Sequence, residues 1–139
     1  MNEGLAAVYW DASAVLSALM LDEYSDQAQE WSKRDGIHLV STLSCAEVYA
    51  VLFRLQREKK ANDKAIQGVI EAFELGPWQK LNLQPEWHQM KLLASQWSLR
   101  GSDLWHLATA AMIRMDLPEL VLLTFDKRLL LAAKGERLF

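Results

Sequence analysis

The chain has 139 residues, 51% of them hydrophobic, which suits one domain over residues 1–139 that needs no covalent staples. Its single cysteine excludes an internal disulfide, no apolar run approaches the ~18 residues of a membrane span, and the polar start MNEGLAA lacks the segments of a secretory signal, so a cytoplasmic protein without membrane association is expected. A formal net charge of −3 argues against passive coating of nucleic acid through a basic surface, though not against an enzyme that acts on it.

Leu5 to Trp10 (LAAVYW) is apolar, aromatic and short, the pattern of a buried strand, and it ends at Asp11. Ala12 to Met20 carries Val15, Leu16, Leu19 and Met20 at helical spacing, so Asp11 stands where a strand gives way to a helix. A second helix, roughly Glu23 to Lys33, shows Tyr24, Ala28 and Trp31 on one face, and Gly36 is expected as its C′ residue. Ile37 to Ser41 (IHLVS) reads as the next strand. Ser44 is then expected to open a long helix to about Lys60, striped by Val48, Val51, Leu52 and Leu55. That start places Glu47 in the first turn, where Ser44-Cys45-Ala46-Glu47 matches a capping box. The helix ends in RLQREKK, which gathers Arg54, Arg57, Lys59 and Lys60. Such a run is ordinarily a solvated face; its functional alternative is contact with phosphates or with an acidic partner.

Asn62 is the expected cap of the following helix, whose Ile66, Val69, Ile70 and Phe73 form a stripe ending at Gly76-Pro77. Lys80 to Leu83 suggests a short strand, and Pro85 a helix start, with Trp87, Met90, Ala94 and Trp97 on one side and Arg100-Gly101 as its close. In GSDLWHLATAAM, Ser102 is the expected cap of a helix whose Leu104, Leu107, Ala108, Ala111, Met112 and Met115 repeat as a core face. Asp103 suits the positive end of that helix. Glu119 to Phe125 (ELVLLTF) is the most strand-like run, and it delivers Asp126 to the helix DKRLLLAAK, after which ERLF suggests a short final strand.

Strands separated by helices indicate an α/β fold: a mostly parallel sheet of four or five strands flanked by about seven helices. Right-handed crossovers put the strand-to-helix turns of such a sheet on one edge. Asp11 and Asp126 therefore share that edge and Glu47 comes within range, whereas Asp103 is less determined because its helix follows another helix. Carboxylates gathered in one cleft repel unless a cation screens them. All-oxygen ligation suits Mg²⁺ or Mn²⁺, which complete their shells with water and phosphate oxygens and so point to phosphoryl-ester chemistry.

The segments YWDASAVLSAL around Asp11, SCAEVYAVL around Glu47, RGSDLWHLATAA around Asp103 and TFDKRL around Asp126 resemble, in order, the four acidic motifs of PIN-domain ribonucleases, above all the VapC-like toxins of toxin–antitoxin pairs. The resemblance spans Val8 to about Leu129. It implies a metal-dependent endoribonuclease with Asp11, Glu47, Asp103 and Asp126 as the catalytic, metal-binding carboxylates, an RNA substrate, a cognate antitoxin and a homodimer. Ser13 and Thr124, two residues from Asp11 and Asp126, are candidates for hydrogen bonds to those carboxylates. Tyr9-Trp10 and Trp105 either narrow the cleft or simply pack. His106 reads as a hydrogen-bonded structural residue and is left outside the site. The alternative function is a catalytically silent PIN-like interaction module in which the acids only cap helices.

Overall fold

The computed structural model describes residues 5–139; residues 1–4, the front of the polar start, lie outside the described residues. Four parallel strands form one sheet in the order β3-β2-β1-β4, with β1 (Ala6–Trp10), β2 (Gly36–Ser41), β3 (Trp78–Leu81) and β4 (Val121–Leu123). Seven helices connect and cover it: α1 (Ala12–Leu19), α2 (Ser25–Ser32), α3 (Thr42–Arg57), α4 (Asp63–Leu75), α5 (Trp87–Gln96), α6 (Gly101–Arg114) and α7 (Lys127–Gly135). This is the α/β class that the alternation of patterns predicts. No helix among the described residues is long and apolar enough to cross a membrane.

The pleat of β1 divides the core. Ala7 and Tyr9 point into a cluster with Leu107, Ala108 and Ala111 of α6 and Leu129 and Ala132 of α7, whereas Val8 and Trp10 point into one with Val15 of α1, Val48 and Leu52 of α3 and Phe73 of α4. Helices α1 to α4 thus cover one face and α5 to α7 the other. Both faces of β1 are buried, which is why its sequence is continuously apolar instead of alternating. Trp10 and Tyr9 are fully buried core residues and do not narrow a cleft.

Several boundaries differ from the sequence expectation, each for a local reason. Gly36 is not the C′ residue of α2, which is capped by Lys33; it opens β2 at φ +141°, and a Cβ there would stand 2.0 Å from the Ala6 carbonyl oxygen. Helix α3 starts at Thr42 because Ser41, not Ser44, is its N-cap, accepting the Ser44 amide at 3.1 Å. Arg100-Gly101 opens α6 instead of closing α5, which ends at Gln96, where Trp97 turns its indole against Gly135 and donates to Glu136 at 2.9 Å. Pro85 precedes the Glu86 cap of α5. Strand β3 begins at Trp78, two residues before the expected start, in register with His38. The edge strand β4 is shorter than ELVLLTF, and ERLF adds no strand, only a 2.7 Å bond from the Leu122 amide to the Leu138 carbonyl. Asn62 and Asp126 cap α4 and α7 as their sequences predict.

Candidate active site

Asp11 follows β1 directly and is the N-cap of α1, so the sheet delivers it and the helix holds it. It is buried, and both its oxygens are engaged: Oδ1 accepts from the Ala14 amide at 2.8 Å and the Ser13 hydroxyl at 2.7 Å, and Oδ2 accepts from the Thr124 hydroxyl. Burial pushes its pKa above the usual carboxylate range, and the three hydrogen bonds oppose that rise. Thr124 Oγ1 also accepts the Asp126 amide at 3.1 Å, so one side chain from the end of β4 ties the first acid to the last. The hydroxyls of Ser13 and Thr124 thus both donate to Asp11.

Asp126 is the N-cap of α7, its Oδ1 accepting the Arg128 and Leu129 amides, each at 3.0 Å. Asp103 lies in the first turn of α6, but Ser102 is not the cap: the helix starts at Gly101, and Arg100 in the N-cap position makes no side-chain capping bond. The Asp103 pKa is raised, first by desolvation and then by the charges of Asp126, Asp11 and Glu47. Glu47 is not in the first turn of α3 and forms no capping box; it lies one turn further on, with Oε1 against His106 Nε2 at 2.7 Å.

Asp11, Glu47, Asp103 and Asp126 line one pocket of about 160 Å³ together with Ser13, Ser102, Arg100 and His106. The expected convergence of the acids includes Asp103, whose place the sheet rules left open. The pocket also takes in a residue that sequence reasoning set aside. His106 is 1% exposed, and its Nδ1 meets the Tyr9 hydroxyl at 2.6 Å. The signal was present in its position three residues after Asp103, one helical turn along the same face. The basic run lies elsewhere: Arg54 and Arg57 are exposed on the last turns of α3, and neither lines this pocket. The hollow beside that run, about 720 Å³ at the α3–α4 turn, is open and contains Lys59, Lys60 and Lys64.

A metal ion needs donors that converge on one point. Among the described residues no three His, Cys, Asp or Glu side chains stand close enough to hold one together. An all-protein cage is therefore absent as the side chains stand. The acids do suit a hard cation that keeps several waters and takes only one or two carboxylates directly, because every donor is oxygen and the mutual repulsion at Asp103 is what such a charge relieves.

A model of the PIN domain matches residues 8–135. No curated protein matches the sequence significantly. Among solved structures, the chain is similar to PAE2754 from Pyrobaculum aerophilum at TM-score 0.59 and 18% identity, over 96% of this chain and 85% of that one. It is also similar to Mycobacterium tuberculosis VapC20, described as a sarcin-ricin loop cleaving toxin, at TM-score 0.58 and 13% identity, over 91% of this chain and 95% of that one. These likenesses are of fold, and the family follows from the match across the four acidic segments: the chain belongs to the PIN domain family.

Proposed function

We propose that the chain, one PIN-like domain over residues 1–139, is a metal-dependent endoribonuclease hydrolysing RNA phosphodiester bonds. Asp11, Glu47, Asp103 and Asp126 are its catalytic carboxylates and would hold Mg²⁺ or Mn²⁺, one or two of them directly and the others through the ion's waters. The observation that carries this reading is that four distant stretches bring four acids into one small pocket, where desolvation first and then the charges of the other three raise the Asp103 pKa. Two of the acids cap helices, but helix capping does not require four like charges to share one pocket, and their repulsion is unfavourable.

When bound, such a cation screens the acids, lowers the pKa of an attacking water and offsets charge on the leaving oxygen. The chain's own residues prepare the place. Ser13, the Ala14 amide and Thr124 fix both oxygens of Asp11, so the central acid is pre-oriented. Arg100 lines the same pocket and makes no ion pair among the described residues, which leaves a guanidinium at the rim of an acidic site to meet a phosphate. The likeness to VapC20 favours the toxin of a type II toxin–antitoxin pair, acting in the cytoplasm as a homodimer with a cognate antitoxin as partner.

Cleavage of a structured RNA should appear in millimolar Mn²⁺ or Mg²⁺ and vanish in chelator. Equal cleavage in chelator overturns the metal dependence, and none with either ion overturns the nuclease. The basic end of α3 has its own test. Replacing Arg54 and Arg57 by Ser should weaken RNA binding and flatten its dependence on salt by about one unit of log–log slope per lost phosphate contact. An unchanged slope, with antitoxin binding also unchanged, returns the run to an ordinary solvated face.

Two observations favour the silent interaction module. Asp11 and Asp126 both serve as helix caps, and among the described residues no three ligands stand together. The two readings part on Asp126→Asn, which a cap tolerates and a metal ligand does not.

A further inference from the structure

The four acids differ in how they are held. Asp11 and Asp126 accept backbone amides and Asp103 sits in a first turn, whereas Glu47 has one hydrogen-bond partner among the described residues, the Nε2 of His106. Behind that ring runs a buried chain of hydroxyls that ends on a main-chain oxygen. The Ser44 hydroxyl donates to the Trp10 carbonyl at 3.0 Å, so its oxygen is left to accept from Ser41 at 3.3 Å. Ser41 has then spent its hydrogen and accepts from the Tyr9 hydroxyl at 3.0 Å. Tyr9 has spent its own, and its oxygen accepts from His106 Nδ1 at 2.6 Å. Followed in that direction, with one hydrogen per hydroxyl, the chain makes Nδ1 the donor to Tyr9, and Nε2 faces the pocket. Nε2 stands 2.7 Å from Glu47 Oε1, within hydrogen-bond distance.

We propose that His106 is a positioning residue: the Ser44–Ser41–Tyr9 chain fixes its ring, and the ring holds the Glu47 carboxylate in the pocket. This rests on the nuclease reading above. A histidine that merely filled the core would meet main-chain groups or water at both nitrogens; here one nitrogen is satisfied by a pocket carboxylate whose side chain is 33% exposed. The ring itself has little freedom, packed edge-on against Tyr9 at 5.6 Å and against Trp105 at 5.8 Å. Glu47, with its long side chain part-exposed on α3, depends on that ring for a single orientation.

The test compares two amide substitutions that both remove the ring and differ in which ring nitrogen they replace, with unfolding measured on both to account for the methylene that Asn lacks. In His106→Gln the amide nitrogen reaches the region of Nε2 and keeps Glu47; in His106→Asn it reaches the region of Nδ1 and keeps Tyr9 instead. Asn should lower kcat for RNA cleavage roughly 10–100-fold more than Gln, with KM unchanged in both. Equal losses overturn the proposal. If neither ring-removing variant folds, Tyr9→Phe carries the kinetic test, because it removes one oxygen and should lower kcat at constant KM; an unchanged kcat overturns the positioning role. A second readout needs no activity. In metal-free wild type labelled with ¹⁵N-histidine, His106 should show a slowly exchanging hydrogen on Nδ1 whose resonance shifts in Tyr9→Phe, and an Nδ1 without hydrogen overturns the chain's direction. A wild type that cuts no RNA counts against the nuclease reading alone, and the NMR result still decides the chain.

Discussion

Asp11→Asn should abolish RNA cleavage while leaving the fold as stable as the parent in chelator, and Asp11→Ala should cost roughly 2–4 kcal/mol of stability. The difference comes from what Asp11 does besides carrying charge. Its carboxylate satisfies the Ala14 amide, the Ser13 hydroxyl and the Thr124 hydroxyl in a buried place. Asparagine keeps an acceptor for the first two, and the Thr124 hydroxyl turns to accept from the new amide. It also removes a charge whose burial is unfavourable, since desolvation holds the Asp11 pKa up. Alanine removes the cap and leaves buried donors without partners. Activity should fall in both variants by more than the ~10–100-fold that loss of a supporting outer partner costs. Chemical unfolding in chelator and RNA cleavage in Mn²⁺ check the two halves separately. An Asn variant that keeps a tenth of the activity removes Asp11 from the catalytic set.

Asp126→Asn separates a metal site from a helix cap. Asparagine caps about as well as aspartate, and the Arg128 and Leu129 amides would still find an oxygen, so the capping reading expects unchanged stability with or without metal. The metal reading expects two changes. In chelator the variant should gain slightly, because the Asp126 charge is the second cause of the raised Asp103 pKa; at part-exposed positions solvent keeps that gain below ~1 kcal/mol. In Mn²⁺ the wild type should gain about 2.7 kcal/mol at a hundred times the dissociation constant, and the variant should lose most of that gain, since an ion that binds only the folded state stabilises by mass action. Thermal unfolding of both proteins in chelator and in millimolar Mn²⁺, beside RNA cleavage, makes the comparison. A wild type with no metal-induced shift, together with a variant that cuts RNA equally well, leaves the interaction module standing.

The sequence by itself determined the α/β class, the approximate place of the strands and helices, and the caps at Asn62 and Asp126. Each of these depends on neighbours a few residues away: the apolar run AAVYW, the 3.6-residue stripes, an Asn or Asp just ahead of a helix. It also marked Asp11 and Asp126, because both follow strands of a parallel sheet and such turns share an edge, and the four acidic motifs marked Glu47 and Asp103 with them without fixing what holds either in place. The tertiary structure alone decided the rest. Ser41 and Ser44 are equally plausible caps by composition, and the choice is made where the Ser44 hydroxyl is drawn off to the Trp10 carbonyl, 34 residues away in the chain. That moves the start of α3 to Thr42, carries Glu47 out of the capping box, and leaves it to His106, 59 residues distant. The same contact turns His106 from a core histidine into part of the pocket, and Asp103 joins because α6 packs Leu107 and Ala108 into the core cluster that also holds Tyr9 of β1. Local periodicity encodes which face of an element is buried; it does not encode which polar groups meet across the sheet, because a hydrogen bond between distant residues leaves no spacing in the chain.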